Sequence, residues 1–511
     1  MVRAGRGAMS ESNQATGQVE GVRRMYLAAA AAAAAVVASA IVRATLARGE
    51  ALWLDEVWTG VMASQHAAAG VWRQLYNDVN APLYGLVAAL WGQVGGLSDE
   101  GLRAPGLVFG CLAPLAALLP VPGVPRSARL LWCVLLAGWT PAFWFAQDAR
   151  CYTLLFLLTA LGAVAFGRLL ARPALGPAFA WATVSSLSIL THYHAILLVA
   201  CQGLIYLAVH RGRALRTWPA LVMFLPAAGW LAYHLPRVVA YADPHVAWYG
   251  RMRLRKLWRL ADFLFGNRNA LIVGVGWAAL AVVLGKRVRP SVERSGRPWL
   301  VVAASAAAIL LAVGLGFLRP SLVDRYLLPF VPGLLLGLAL AGERLKARWR
   351  LAPAVLGLAW AVQAAVWVAH YKPPPERHYS FEAASEALMA AGAQRLVFYW
   401  DHPAAAVVGA AQLREVGGFF CRRAGHPVAV DPVILRPSGE AQTEVFGRAR
   451  APGSAVLWMY DRGVPGTSGR LRSPHPERLD AAWRCHDYGT TAVGILACAR
   501  GVRPASYPPR R

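Results

Sequence analysis

Apolar and polar stretches alternate along this chain with a period far longer than that of one helix face or one strand. Blocks such as Leu131–Ala146, Tyr152–Leu170 and Trp299–Leu318 approach the ~20 residues that a helix needs to cross ~30 Å of hydrocarbon. They predict a polytopic bundle of membrane-spanning helices. Residues 1–24 form a polar, basic tail, and the Ala-rich block Met25–Val42 after it predicts the first span. Ala38-Ser39-Ala40 also fits a small-residue cleavage pattern, so a removable signal peptide is the competing reading. In both cases the chain after Ala47 emerges on the outer side.

Arginine placement orients the spans, because basic loops are retained on the cytoplasmic side. The connectors Pro125–Arg129, Arg168–Arg172, His210–Arg216, Lys286–Arg297 and Arg344–Arg350 are therefore expected inside. The alternate joints are expected outside: Gln147–Arg150, Thr191–His194, Arg237–Arg268, Arg319–Arg325 and everything beyond Tyr371. Arg251–Arg259 is a basic run on the outer side. Its interleaved apolar residues predict a helix lying in the headgroup plane, with a solvated face as the alternative. Pro82–Gly96 is too short to cross comfortably, and a crossing there would put the basic joint at Arg126 and Arg129 on the wrong side. A re-entrant or interfacial helix gives about eleven spans, and one extra crossing elsewhere gives about thirteen.

Beyond the run Pro373-Pro374-Pro375 the pattern changes. Ser380–Ala393 reads as a helix, and Arg395–Trp400, Pro427–Leu435 and Ala455–Tyr460 read as short strands between Gly, Pro and charge. The expected organisation is a cytoplasmic tail (1–24), a membrane domain (25–370) whose outer loop 48–81 is acidic, and a small extracytoplasmic α/β domain (371–511). The fold class is thus mainly α.

Composition sharpens the picture. The 511 residues are 57% hydrophobic and 15% charged, with a mean hydropathy of +0.41, more apolar than soluble packing requires. The formal net charge of +26 would suit nucleic acid, but the arginines sit in short joints between apolar blocks, which excludes that class of partner and implies contact with membrane lipids. The seven cysteines include no Cys-x-x-Cys pair and no Cys/His set at zinc spacing. Cys485 and Cys498 are the favoured pair if the C-terminal region forms a disulfide.

Candidate chemistry gathers at the outer joints. Asp55 and Glu56 follow the first span immediately. Acids near the bilayer are costly to desolvate and are functional candidates. An acid in a partly dry pocket can take the proton of a sugar hydroxyl, while its neighbour orients it or holds a divalent metal ion. The bland alternative is a solvated loop. Asp78 and Asn80 precede the proline of the short helix, where they can cap it or attend a phosphate at its N-terminus. Arg103, Arg150 and Arg325 carry planar forks suited to phosphate oxygens. The alternatives are snorkelling, or pairing of Arg150 with Asp148 and of Arg325 with Asp324. His192 and His194 lie two apart without a neighbouring carboxylate, so substrate hydrogen bonding or a structural role outranks metal.

Taken in order, Leu52-Trp53-Leu54-Asp55-Glu56, Asp78-Val79-Asn80-Ala81-Pro82-Leu83-Tyr84, Arg103-Ala104-Pro105, Gln147-Asp148-Ala149-Arg150-Cys151-Tyr152, Thr191-His192-Tyr193 and Asp324-Arg325-Tyr326-Leu327-Leu328-Pro329 resemble the GT-C membrane glycosyltransferases. Within these they resemble the bacterial group related to protein O-mannosyltransferases and the lipid A aminoarabinose transferase. The resemblance covers about residues 25–370. It implies an inverting transferase of the bacterial plasma membrane that moves a sugar from a polyprenyl-phosphate donor to a glycan, lipid or protein acceptor. Asp55 would be the catalytic carboxylate and Glu56 would assist. Asp78, Asn80, Tyr84, Arg103, Asp148, Arg150, Tyr152, His192, His194, Arg325 and Tyr326 would surround the donor. The family usually has His-Pro-Pro where this chain has Asn80-Ala81-Pro82, which removes one imidazole. A transporter or lipid flippase is the alternative function, but charges lining a translocation path belong near mid-span, not at one face.

Overall fold

The computed structural model describes residues 4–46, 50–243, 246, 252–285, 297–372, 380–434, 441–461, 476, 479–490 and 493–500. The tri-proline run, Arg251 and all but Arg297 of the connector Lys286–Arg297 lie outside these residues.

Helices form the membrane part because long apolar runs satisfy their own backbone polar groups only by coiling. The first is α1 (Ala4–Thr45), whose apolar stretch is Met25–Thr45. Three short helices follow, α2 (Leu54–Ala63), α3 (Ala68–Asn77) and α4 (Pro82–Gly95), then α5 (Asp99–Leu112). Next come α6 (Arg126–Ala137), α7 (Pro141–Phe145), α8 (Tyr152–Ala171), α9 (Leu175–Thr191), α10 (Ala195–His210) and α11 (Leu225–Tyr241). The bundle ends with α12 (Leu257–Phe265), α13 (Arg268–Gly285), α14 (Pro298–Leu318), α15 (Val331–Lys346) and α16 (Ala352–Ala369).

Among the described residues, seven helical stretches are long and apolar enough to cross a membrane, eight when α12 and α13 are taken together. The expected count is higher because several apolar blocks are broken. Gly138–Thr140 splits Leu131–Ala146 into α6 and α7, and the 47-residue stretch Ala195–Tyr241 holds both α10 and α11. Helix α9 is a shorter apolar helix beside these. Helix α4 has 14 residues, about 21 Å at ~1.5 Å per residue, which falls short of a full crossing.

The two sets of joints lie at opposite ends of the bundle. At one end Ser127 Oγ donates to Glu343 Oε2 at 2.6 Å, beside the Lys346–Glu343 pair at 3.1 Å. Arg168 Nε donates to the Pro120 carbonyl at 2.8 Å, while His210 Nε2 and Arg297 Nη1 meet the Leu170 carbonyl at 3.1 and 2.5 Å. These contacts link the basic connectors to one another. At the other end the joints carrying Asp55, Arg150, His194 and Ser321 converge. Near that end α12 meets α13 at 82°. Gly266 makes the corner with φ +110°, a conformation open to glycine. Its carbonyl accepts from Thr140 Oγ1 at 2.8 Å. Just before α12, Met252 is buried and Leu254 exposed, and the Arg268 guanidinium of α13 lies 5.1 Å from the Trp258 ring centroid.

The C-terminal part is a five-stranded sheet flanked by helices. It starts with α17 (Phe381–Ala390), capped by Ser380 Oγ, which accepts from the Ala383 amide at 2.9 Å. In chain order there follow β1 (Arg395–Asp401), α18 (Ala405–Val408), α19 (Ala410–Gly417), α20 (Phe419–Arg423), β2 (Ala429–Val433), α21 (Ala441–Arg448), β3 (Ser454–Asp461), β4 (Trp483–Asp487) and β5 (Val493–Arg500). The sheet order is β2-β1-β3-β5-β4, parallel among β1 to β3 and antiparallel at β5 and β4. Cys485 and Cys498 face each other in the β4–β5 register and are joined as a disulfide. This domain does not stand apart from the bundle. One core holds Leu52, Val57, Val61 and Ala63 of the α2 segment together with Phe381, Phe398, Leu413, Phe419 and Phe420.

Candidate active site

The acid pair begins helix α2, where the positive end of the helix favours carboxylates. Although adjacent, the two acids have opposite fates. Glu56 is fully buried, and four donors hold it: Arg103 Nε at 2.8 Å and Nη2 at 2.7 Å, the Ala149 amide at 2.9 Å and the Trp53 amide at 3.2 Å. Arg103 in turn donates to the Glu50 and Ala51 carbonyls at 2.7 and 3.1 Å. Glu56 and Arg103, both expected on the reacting side, thus form a bidentate pair that fastens α2 to α5 and to the 147–150 joint. Asp55 is half-buried.

The Asp55 segment is tied to one arginine of a distant joint, and its charge reaches a second. Arg150 is buried and donates through Nη1 to the Asp55 carbonyl at 2.9 Å. Burial works against its charge, but the Asp55 carboxylate and then Tyr152 and Asp78 outweigh burial and hold the guanidinium firmly protonated. The Asp55 charge also acts on Arg325, whose guanidinium lies 6.0 Å from the ring centroids of both Tyr152 and Tyr326.

Tyr326 continues into the histidines. Its ring is 4.9 Å from His192 and 4.6 Å from His194. His194 Nε2 donates to the Ser321 carbonyl at 2.9 Å, and burial pushes its pKa down to about 4. Burial also holds His192 well below its ordinary range, helped by the positive charges of Arg325 and Arg150. Both imidazoles are therefore neutral at physiological pH, and positive charge at the site comes from the arginines.

Beside Arg150 opens a small cleft of about 20 Å³. Trp58, Met62, Asp78, Asn80, Tyr84 and Arg150 are among its walls. Asp78 does not cap α4. Its Oδ1 accepts from the Asn80 amide at 3.1 Å and from Asn80 Nδ2 at 2.7 Å, a closed turn that sets the cleft edge. The Tyr84 hydroxyl and Arg150 Nε are buried without a hydrogen-bond partner among the described residues. Buried polar atoms of this kind are costly unless a ligand satisfies them. Asp148 lies under the site, fully buried, and accepts from Trp53 Nε1 at 2.8 Å. The sequence reading did not single out Trp53 or Trp58. Both flank the acid pair in Leu52-Trp53-Leu54-Asp55-Glu56-Val57-Trp58, and that flanking is the only sequence signal for them.

Both Glu56 oxygens are engaged by nitrogen donors, and among the described residues no three His, Cys, Asp or Glu side chains converge as a metal set.

These features define a helical protein with seven stretches long and apolar enough to cross a membrane and a small C-terminal sheet domain, a fold shared with a solved membrane protein, ArnT. No family model and no curated protein matches the sequence. Among solved structures the chain is similar to ArnT from Cupriavidus metallidurans bound to undecaprenyl phosphate, at TM-score 0.54 and 12% identity over 91% of this chain and 97% of that one. The apo state of the same protein gives TM-score 0.54 and 14% identity over 95% and 98%. The Archaeoglobus fulgidus oligosaccharyltransferase overlaps more loosely, at TM-score 0.47 and 10% identity over 83% and 67%.

Proposed function

We propose that this chain is a membrane glycosyltransferase that takes a sugar from a polyprenyl-phosphate donor and transfers it, with inversion, to an acceptor outside the plasma membrane of a bacterium. The observation that carries this reading is the bond from Arg150 to the Asp55 backbone carbonyl, with Arg325 in electrostatic reach of Asp55, next to a small cleft that holds unsatisfied polar atoms. The ArnT structure, bound to undecaprenyl phosphate, supports the class of carrier.

In this reading Arg150 and Arg325 face the donor phosphate and the Tyr84 hydroxyl donates to one of its oxygens. Fixed positive charge lowers the barrier where negative charge develops on the leaving phosphate. The acceptor oxygen attacks the anomeric carbon from the face opposite the phosphate, and the bond from that carbon to the phosphate oxygen breaks. The bonding electrons leave with the phosphate, and the acceptor proton passes to the Asp55 carboxylate. One displacement at one carbon inverts it. Glu56 holds α2 through Arg103 and takes no proton. No step is assigned to a metal ion.

In membranes supplied with radiolabelled polyprenyl-phosphate sugar, the wild type is expected to transfer label and Asp55→Asn to lose about 10²- to 10⁴-fold, the range of general-base catalysis. Full activity in Asp55→Asn would remove this carboxylate from its role.

A further inference from the structure

We infer that α20 of the C-terminal domain positions the Asp55 carboxylate, so that the sheet domain is a working part of the catalytic unit. The inference rests on the assignment of Asp55 as base. It starts from Gly60, five residues along α2, whose missing side chain lets the Phe419 ring close directly on the helix. A Cβ built at Gly60 would lie 2.4 Å from Phe419 Cζ, whereas ordinary contact begins at 3.4 Å. The ring is not free to retreat. Phe419 is 2% exposed and lies edge-to-face against Phe420 at 5.2 Å, which in turn meets Phe381 at 5.1 Å.

The last residue of α20 reaches the neighbouring helix. Arg423 Nη1 donates to Asp99 Oδ1 at 2.7 Å and to the Leu97 carbonyl at 3.2 Å, and Nη2 pairs with Glu382. Asp99 opens α5, and one turn further along the same helix Arg103 grips Glu56. A single five-residue helix therefore seats α2 through Phe419 and α5 through Arg423, and the Glu56–Arg103 pair ties those two helices together at the residue next to Asp55. A third contact supports the seat: Trp58, one turn from Asp55, stands edge-on to Trp400 of β1 at 6.3 Å.

The test is Gly60→Ala in the full-length protein, alone and with Phe419→Leu. Relieving the overlap requires α2 to move by about 1 Å, and a misplacement of that size costs up to ~10²-fold in rate. We expect kcat for label transfer to fall about 10- to 100-fold while KM for the donor stays within about twofold, and Phe419→Leu, by making room for the methyl, to restore most of it. Binding of undecaprenyl phosphate, followed by native mass spectrometry, is expected to be unchanged in both variants. Wild-type kcat in Gly60→Ala would overturn the inference. So would a failure of Phe419→Leu to rescue, or a loss of KM and lipid binding alongside kcat. A wild type that transfers no label would overturn the transferase assignment and this inference with it.

Discussion

Asp55 and Glu56 show how little a dipeptide says about its two side chains. Their presence beside the first span was legible, as were Arg150 and Arg325, because interfacial charge is costly and so stands out, whereas Tyr326 came only through the family resemblance. Which acid is locked in an ion pair was not legible, since it depends on how α2 packs against Arg103 and the Ala149 amide. The histidines carry a prediction at this scale. The folded pKa of His194 is about 4, below the ordinary 6.5, so the unfolded chain takes up the proton first. Stability from this site is therefore complete above about pH 6.5 and is lost as the pH falls toward 4. Thermal unfolding in detergent should show a melting temperature that drops across that window, with a shallower drop in His194→Gln. An unchanged slope in the variant would place the acid sensitivity elsewhere.

Among elements, the joint of α2 with α5 is where one ion pair decides stability. Removing one partner of a buried pair leaves the other charge without compensation, at about 3–5 kcal/mol, whereas replacing both by apolar groups of similar size costs far less. Arg103→Met alone should therefore destabilise the protein strongly, and adding Glu56→Leu should recover much of the loss, as read from thermal unfolding of the purified chains. A double variant no more stable than the single would mean that Arg103 serves chiefly to hold the Glu50 and Ala51 carbonyls. Element boundaries were legible where one signal dominated: β1 and β3 follow their β-branched and aromatic runs, and α17 follows its serine cap. β4 and β5 were not, because Trp483–Asp487 is too charged to read as a strand and takes its place only by pairing with β5 across the Cys485–Cys498 bridge. The apolar block at 131–146 hid a break that Gly138 and Pro141 impose.

At the scale of the molecule, the separation of joints into a basic end and a site end gives the chain a polarity that labelling can read. Cysteines introduced at Ala67 and His426, both exposed near the site end, should react with an impermeant thiol reagent in spheroplasts, while one at Arg213 should not. Labelling of Arg213 alone would turn the molecule over and put the site in the cytosol. The arginine pattern made this polarity legible from the sequence, but nothing in the C-terminal composition showed that its core would continue into α2. That shared core has a consequence for biosynthesis. A ribosome delivers Asp55 early and Phe419 late, and the central strands of the domain that seats α2 are completed only when β5 pairs with β3. A nascent chain whose helices are already inserted would still lack a seated carboxylate, so under the proposed function the fold itself would keep the protein silent until its final strand has closed the sheet.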